Sequence, residues 1–194
     1  QPLAQVTTPS IDPRRGSGVM ALRMHLRRRG SFLIEKAARS RLLRVDHPIV
    51  TADEMAALRN VPGFSCVTLQ AVWNASSGPE GLRPALDALC SAAVRAARGG
   101  ARLLVISDRA ANDRQAPIPM LLAIGAVRRH LLDTGLRLRL GLIAETGDAW
   151  DIHHFATLIG YGAEVVHPWP ALETRHAMFC SGGGPRGTEG AVLR

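Results

Sequence analysis

Short apolar segments alternate along this chain with segments of helical periodicity, and this alternation limits the fold more than any other property. The clearest apolar run is Arg102–Ser107 (RLLVIS), which is typical of a strand buried on both faces. Further strands are predicted at Cys66–Trp73, Leu138–Ala144 and Ala163–Val166. Apolar strands joined by helical crossovers pair in parallel through right-handed connections. We therefore predict an α/β fold of parallel βα units, either half of a (βα)8 barrel or an open sheet.

Helices are predicted between these strands from apolar residues at helical spacing. The first begins near Pro79, ends at Gly99-Gly100 and has an inward face of Leu82, Leu86, Leu89, Ala93 and Ala97. The second spans Pro117–Thr134, with Leu121, Ile124, Val127 and Leu131 facing inward. Asp148 is expected to cap a third helix over Ala149–Ile159, and Ala171–Met178 forms a last helical piece.

The chain divides into an N-terminal arm (1–60), a βα central domain (61–178) and a flexible Gly-rich tail (179–194). Within the arm, Val19–Leu26 is predicted to form a short helix. Thr51 resembles the N-cap of another helix that runs to about Arg59, with acidic residues in its first turn.

Positive charge is concentrated in the arm. The whole chain has 24 basic and 16 acidic residues and a net charge of +8, and residues 1–60 hold 11 of the basic and 5 of the acidic ones, a net of +6. This excess favours a solvated face or a surface that docks an acidic neighbouring domain. A basic binding module built on Arg27–Arg29 is an alternative, but nucleic-acid binding is disfavoured because no aromatic residues interleave with the arginines.

The cysteines do not predict a metal site or a disulfide framework. Cys66, Cys90 and Cys180 are far apart, odd in number and without CxxC or zinc spacing. This usage favours a reducing, cytoplasmic compartment. No apolar run is long enough for a membrane span, no signal peptide is visible, and the start at Gln1 instead of Met favours a fragment.

Polar residues at strand ends are the candidates for a functional site, because ligands of parallel α/β folds bind at that rim. Ser107-Asp108-Arg109 could clamp a substrate or stabilise developing charge, and His167 could act as a general base there. The favoured interpretation is structural, with a capping aspartate and an ion pair. His153-His154 cannot chelate one ion as an i, i+4 pair can, because adjacent side chains on a helix point about 100° apart, so packing or an interdomain contact is favoured.

No catalytic, cofactor-binding or metal-binding residue is assigned from motifs. Ser181–Gly190 (SGGGPRGTEG) lacks the preceding strand and following helix that a phosphate-binding loop requires. The sequence has no GxSxG or Walker A signature, and no GxGxxG that follows a predicted strand.

Three stretches resemble the central domain of glutamate synthase large subunits. They are Gln5–Pro13 (QVTTPSIDP), Leu104–Arg109 followed by Ala116–Pro119 (APIP), and His153–Ala163 (HHFATLIGYGA). They occur in the family's order over roughly residues 5–175, and the last is long enough to be specific. Arg128 and Arg129 stand where the family usually has histidines.

This resemblance implies part of an enzyme that transfers the amide nitrogen of glutamine reductively to 2-oxoglutarate. It implies a fragment that links a glutaminase domain to an FMN-binding synthase domain and helps to shape the ammonia path between them. FMN and an iron–sulfur cluster are expected elsewhere in the full enzyme, and this chain alone is not expected to be catalytic. A free-standing α/β enzyme that uses the Ser107–Arg109 and His167 rim remains the alternative.

Overall fold

The computed structural model describes residue 22, residues 24–26 and residues 43–180. Residues 1–20, the basic segment 27–29 and the Gly-rich segment 181–190 lie outside these ranges. The predictions made for those segments, including the QVTTPSIDP stretch and the tail, therefore stay predictions.

The central feature is a parallel sheet of four strands, which lie side by side in the order in which they occur along the chain. Its strands are β3 (Cys66–Gln70), β5 (Leu103–Ser107), β7 (Gly141–Glu145) and β8 (Val165–His167). Every residue of β5, β7 and β8 is buried, as a sheet covered on both faces requires. The predicted α/β class and parallel pairing are confirmed.

One face of the sheet is covered by the helices that connect its strands. These are α2 (Leu82–Arg98), α3 (Met120–Asp133) and α4 (Ile152–Gly160). When parallel strands lie side by side in chain order and every crossover is right-handed, all connecting helices lie on the same side of the sheet. Their apolar faces form one buried cluster with the alternate strand residues Leu104, Ile106, Leu142, Ala144 and Val166.

The other face is covered by residues that precede the sheet. A two-stranded antiparallel ribbon, β1 (Met24–Leu26) and β2 (Leu43–Val45), and helix α1 (Ala52–Arg59) lie there. Leu26, Met55 and Leu58 pack with Val105 and Ile143 of the sheet in a second buried cluster. Described parts of the segment assigned to the arm therefore complete the hydrophobic core.

Helix α1 forms as the sequence predicts. The Thr51 hydroxyl accepts a hydrogen bond from the Glu54 amide, and the Glu54 carboxylate accepts one from the Thr51 amide, which together make a capping box. The helix ends at Arg59, as predicted.

The short helix predicted at Val19–Leu26 is wrong for its last three residues. Met24–Leu26 is a strand that pairs antiparallel with Leu43–Val45. Leu26 is fully buried, so its position is set by the core and not by local helical propensity.

The predicted strand Cys66–Trp73 ends early. β3 stops at Gln70, and the chain then enters β4 (Val72–Asn74), which pairs antiparallel with β6 (Gln115–Pro117) in a separate ribbon. The buried Ala71 joins the two, because its amide donates to the Ser107 carbonyl and its carbonyl accepts from the Ile118 amide. Alternation of residue types could not reveal this change of sheet.

Other boundaries shift by a few residues. Helix α3 begins at Met120, and the predicted inward residue Leu121 is 36% exposed, while Met120 and Ala123 occupy the buried positions. β7 begins at Gly141 after a 3-10 turn over Arg137–Arg139. The last helix, α5, spans Trp169–Cys180.

Asp148 does not cap the third helix. The cap of α4 is Asp151, whose carboxylate accepts from the His154 amide at 2.9 Å. The Asp148 carboxylate instead accepts from the Met120 amide at 2.9 Å and so caps α3. The error arose because the residue type signalled a cap, whereas the helix it serves begins 28 residues earlier.

Candidate functional site

The carboxyl ends of three neighbouring strands bring polar side chains to one edge of the sheet. Ser107 is in register with Glu145, and Glu145 is in register with His167. Residues in register on parallel strands point to the same face, which here is the face covered by α1. All three residues are at least 97% buried. We call the set formed by Ser107, Asp108, Arg109, Glu145 and His167 the strand-end rim.

Asp108 is held by three hydrogen-bond donors. Its Oδ2 accepts from the Thr146 hydroxyl at 2.7 Å and from the Gly147 amide at 2.8 Å. Its Oδ1 accepts from the indole Nε1 of Trp169 at 2.9 Å. Bonds to a carboxylate are stronger than neutral ones, so this buried side chain joins β5, the loop after β7 and helix α5. The structural interpretation of this aspartate fits these contacts better than a substrate clamp.

Arg109 reaches the last helix and the edge of the sheet. Its Nη2 donates to the carboxylate of Glu173, and its guanidinium lies 4.9 Å from the centre of the Trp169 ring. Stacking of this kind stabilises a cation over the aromatic face. The Nε of Arg109 is 4.0 Å from Glu145 Oε1, at the limit of an ion pair.

Ser107 and His167 do not meet. They end strands β5 and β8, which are separated by β7, so they lie roughly 10 Å apart across two strand spacings. The Ser107 hydroxyl accepts from the Arg109 amide at 3.2 Å. His167 Nδ1 is 2.9 Å from the carbonyl oxygen of Val50, and because a carbonyl only accepts, this nitrogen carries the proton. Direct proton transfer from the serine to the histidine is therefore not possible.

Sequence reasoning missed the ion pair between Glu145 of the rim and Arg59 of helix α1. Glu145 is 1% exposed, and its Oε2 accepts from Arg59 Nη2 of helix α1 at 2.8 Å. Its Oε1 makes no hydrogen bond within the described part of the protein. The strand-end rule that selected Ser107 would also have selected Glu145, since each residue ends a buried strand. Glu145 and its partner are 86 positions apart in the sequence, so no local pattern reveals the ion pair.

In the pair His153-His154, the first residue is exposed and the second is half-buried. The ring centres are 6.5 Å apart, and the His154 Nδ1 accepts from the Trp150 amide at 3.1 Å. Within the described residues, no three His, Cys, Asp or Glu side chains come together as a metal site would require. Among the described helices, none combines the length and apolar character needed to cross a membrane.

Two glycines, one at the end of the His153–Ala163 stretch and one in helix α3, lie where the two helices pack together. Gly162 has a φ of 116°, a conformation that side chains other than glycine rarely adopt. A Cβ there would lie 2.1 Å from the Cδ atom of Arg128 in helix α3. A Cβ at Gly125 would in turn lie 3.1 Å from the Tyr161 ring. The glycines thus permit close contact between α3 and the end of α4.

In comparisons with known proteins, the matching family model and the similar proteins both point to glutamate synthase. Residues 1–189 match the family model described as the glutamate synthase central domain. Over 177 residues the chain is 38% identical to the glutamate synthase [NADH] of Schizosaccharomyces pombe, covering 89% of this chain and 8% of that protein.

Two further relatives are similar over the same region. The ferredoxin-dependent glutamate synthase 2 of Synechocystis sp. is 40% identical over 178 residues, covering 90% of this chain and 11% of that protein. The glutamate synthase [NADPH] large chain of Azospirillum brasilense is 38% identical over 173 residues, with coverages of 89% and 11%. The chain thus spans about a tenth of the length of the curated relatives it matches.

Proposed function

The chain belongs to the family of the glutamate synthase central domain, and from this membership we propose that it links the glutaminase domain of such an enzyme to its FMN-binding synthase domain. In this role it holds two active sites at a fixed separation and forms part of the wall of the ammonia path. The enzyme transfers the amide nitrogen of glutamine reductively to 2-oxoglutarate. FMN and the iron–sulfur cluster are carried by the neighbouring parts, and the cytoplasm is the compartment proposed for it.

The observation that carries this proposal is that residues of the strand-end rim bind the elements before and after the sheet. Asp108 and Arg109 bind helix α5, while Glu145 and His167 bind the segment that contains α1. The polar groups that a catalytic site would direct at a ligand are here directed at the elements before and after the sheet. A rim built in this way suits a rigid spacer.

The range of similar enzymes gives further support. Relatives named for NADH, for NADPH and for ferredoxin match this region at 38–40% identity. A part of the enzyme that connects domains, and does not handle the electron donor, fits such a distribution.

The alternative of a free-standing enzyme at the rim has less support. Ser107 and His167 are separated by a strand, and Asp108 already accepts three hydrogen bonds. The other alternative, a basic module that uses Arg27–Arg29, stays a prediction because those residues lie outside the described ranges.

The test is a chimera in which this chain replaces the matching segment of the Azospirillum brasilense large chain. We expect glutamine-dependent glutamate synthesis with little free ammonia. Asp108→Ala in the chimera should raise the ratio of released ammonia to glutamate, because it removes the acceptor that holds α5. Arg129→Met, which removes only an exposed ion pair with Asp133, is the matched control and should leave the ratio unchanged.

Two results would contradict the proposal. One is glutamate formation by the isolated chain from glutamine and 2-oxoglutarate with a reductant. The other is an unchanged ammonia ratio in the Asp108→Ala chimera when its unfolding midpoint has fallen.

A further inference from the structure

Arg109 stands between two carboxylates that belong to different parts of the fold. On one side it donates to Glu173 and stacks on Trp169, both in helix α5. On the other side its Nε is 4.0 Å from Glu145 Oε1, beyond hydrogen-bond distance. Glu145 is held at its other oxygen by Arg59 of helix α1, at 2.8 Å. A continuous series of charges therefore runs from α1 through the sheet edge to α5.

The two carboxylates differ in how strongly they need a cation. Glu145 is 1% exposed, whereas the side chain of Glu173 is 60% exposed and can be solvated by water. A buried carboxylate without a paired cation is costly, and Arg59 supplies that cation in this structure. If Arg59 is withdrawn, Arg109 is the other cation that the described residues place near Glu145 Oε1.

The Arg109 guanidinium has room to make this move. Its side chain is 42% exposed, and a displacement of about 1 Å would bring its Nε within hydrogen-bond distance of Glu145. Because Nη2 donates to Glu173 while Nε faces Glu145, a shift toward Glu145 would move the guanidinium relative to both the Trp169 ring and Glu173.

We propose that Arg109 is a two-position switch that couples helix α1 to helix α5. When Arg59 neutralises Glu145, Arg109 holds α5 through Glu173 and Trp169. When Arg59 leaves, Arg109 moves to Glu145 and α5 is loosened. The inference rests on the proposed connecting function: the sheet remains a rigid spacer, and the switch would couple the contact of α1 with the sheet edge to the contact of α5 with the same edge.

Hydrogen exchange of the indole N–H groups in the 194-residue chain tests the switch. The Trp169 indole donates to Asp108, and the Trp73 indole donates to the Gly78 carbonyl at 3.1 Å, away from the charge series. Arg59→Met should speed exchange at Trp169 by about tenfold or more relative to Trp73, the ratio expected for members of one ion-pair network. Arg129→Met, which removes an exposed arginine of the same type, should leave the ratio unchanged.

A double variant separates the switch from a simple loss of stability. In Arg59→Met with Glu145→Gln, the neutral amide no longer attracts Arg109, so Trp169 should return to slow exchange. Persistent fast exchange in the double variant would overturn the switch. Equal acceleration of both indoles in Arg59→Met would overturn it as well, because that result indicates general destabilisation.

A second test changes helix α5 and measures the effect at helix α1. It leaves no buried charge without a partner. Glu173→Ala removes the exposed acceptor of Arg109, so Arg109 should move to Oε1 of Glu145 and share this carboxylate with Arg59, which weakens the attraction of Glu145 for Arg59. Coupling is reciprocal, so the backbone amides at the end of α1 should exchange faster than in the unaltered chain. Changes confined to α5 would refute the coupling. These measurements need no other domain, so they can fail while the chimera succeeds, or succeed while it fails.

Discussion

At the scale of single residues, burial decides what a polar side chain at a strand end does. Asp108 has the chemistry of a substrate clamp, yet it is 3% exposed and accepts three hydrogen bonds from the protein. Each donor comes from outside its own strand. Such a carboxylate fixes neighbouring elements in place, and its residue type alone does not distinguish this role from catalysis.

The buried thiol of Cys90 should react slowly in the folded chain. Burial, and secondarily the negative charge of Asp87, raises the pKa of Cys90, so the reactive thiolate is scarce near neutral pH. In a background of Cys66→Ser and Cys180→Ser, we expect alkylation by iodoacetamide at pH 8 to be much slower than in the urea-unfolded chain. Equal rates in the two states would contradict the burial of this residue.

The same shift has a consequence for stability. A folded-state pKa above the unfolded one means that the folded chain retains the proton more strongly. The resulting contribution is complete below the ordinary thiol pKa of about 8.5 and is lost as the pH rises through the folded pKa. The urea midpoint should therefore fall more steeply above pH 9 in this background than in a Cys90→Ala variant.

At the scale of elements, helices in this fold are capped either locally or from a distance. Helix α1 carries its own capping box at Thr51 and Glu54, and α4 is capped by the adjacent Asp151. Helix α3 follows Pro119, which offers no side-chain acceptor, and receives its cap from Asp148 beyond the next strand. The distant cap ties the position of α3 to the loop after β7.

Asp148→Ala should lower the stability of the chain by about 1 kcal/mol, the usual cost of a lost helix cap. The Met120 amide would lose its acceptor at a partly buried position. Urea unfolding followed by circular dichroism measures the change. Asp148→Asn keeps an oxygen acceptor and should retain most of the stability. If both variants lose the same amount, the contribution is due to charge and not to the hydrogen bond.

At the scale of the whole molecule, the sheet depends on both of its covers. The connecting helices supply one buried cluster, while β1, β2 and α1 supply the other. A parallel sheet with both faces apolar cannot leave one of them in water. The described residues before position 60 are therefore expected to fold together with the strands.

Met55→Ala tests this expectation. Met55 is 1% exposed and packs in the cluster that contains Val105 and Ile143 of the sheet. Truncation of a buried methionine costs about 2–5 kcal/mol, and we expect a single unfolding transition at a lower urea concentration. Ile152→Ala, at a residue that is 84% exposed, is the control and should change stability little. An unchanged midpoint for Met55→Ala would indicate a separate N-terminal arm.

Local periodicity was sufficient for the order of the four sheet strands and of the helices that connect them. The continuous apolar run at residues 102–107 and the helical spacing from Leu82 to Ala97 each reflect a pattern within one element. Caps such as Thr51 and the helix end at Gly99 are also local. The family resemblance depended on the same contiguous stretches, and the family match confirms it.

Contacts between distant parts of the chain decided the rest. Met24–Leu26 is a strand because Leu43–Val45 pairs with it, and Asp148 caps α3 because the fold brings Met120 to it. Arg59 and Glu145 form an ion pair only because α1 packs across the end of β7. Each of these outcomes depends on which surfaces meet in three dimensions, and a periodic pattern along the chain carries no such information.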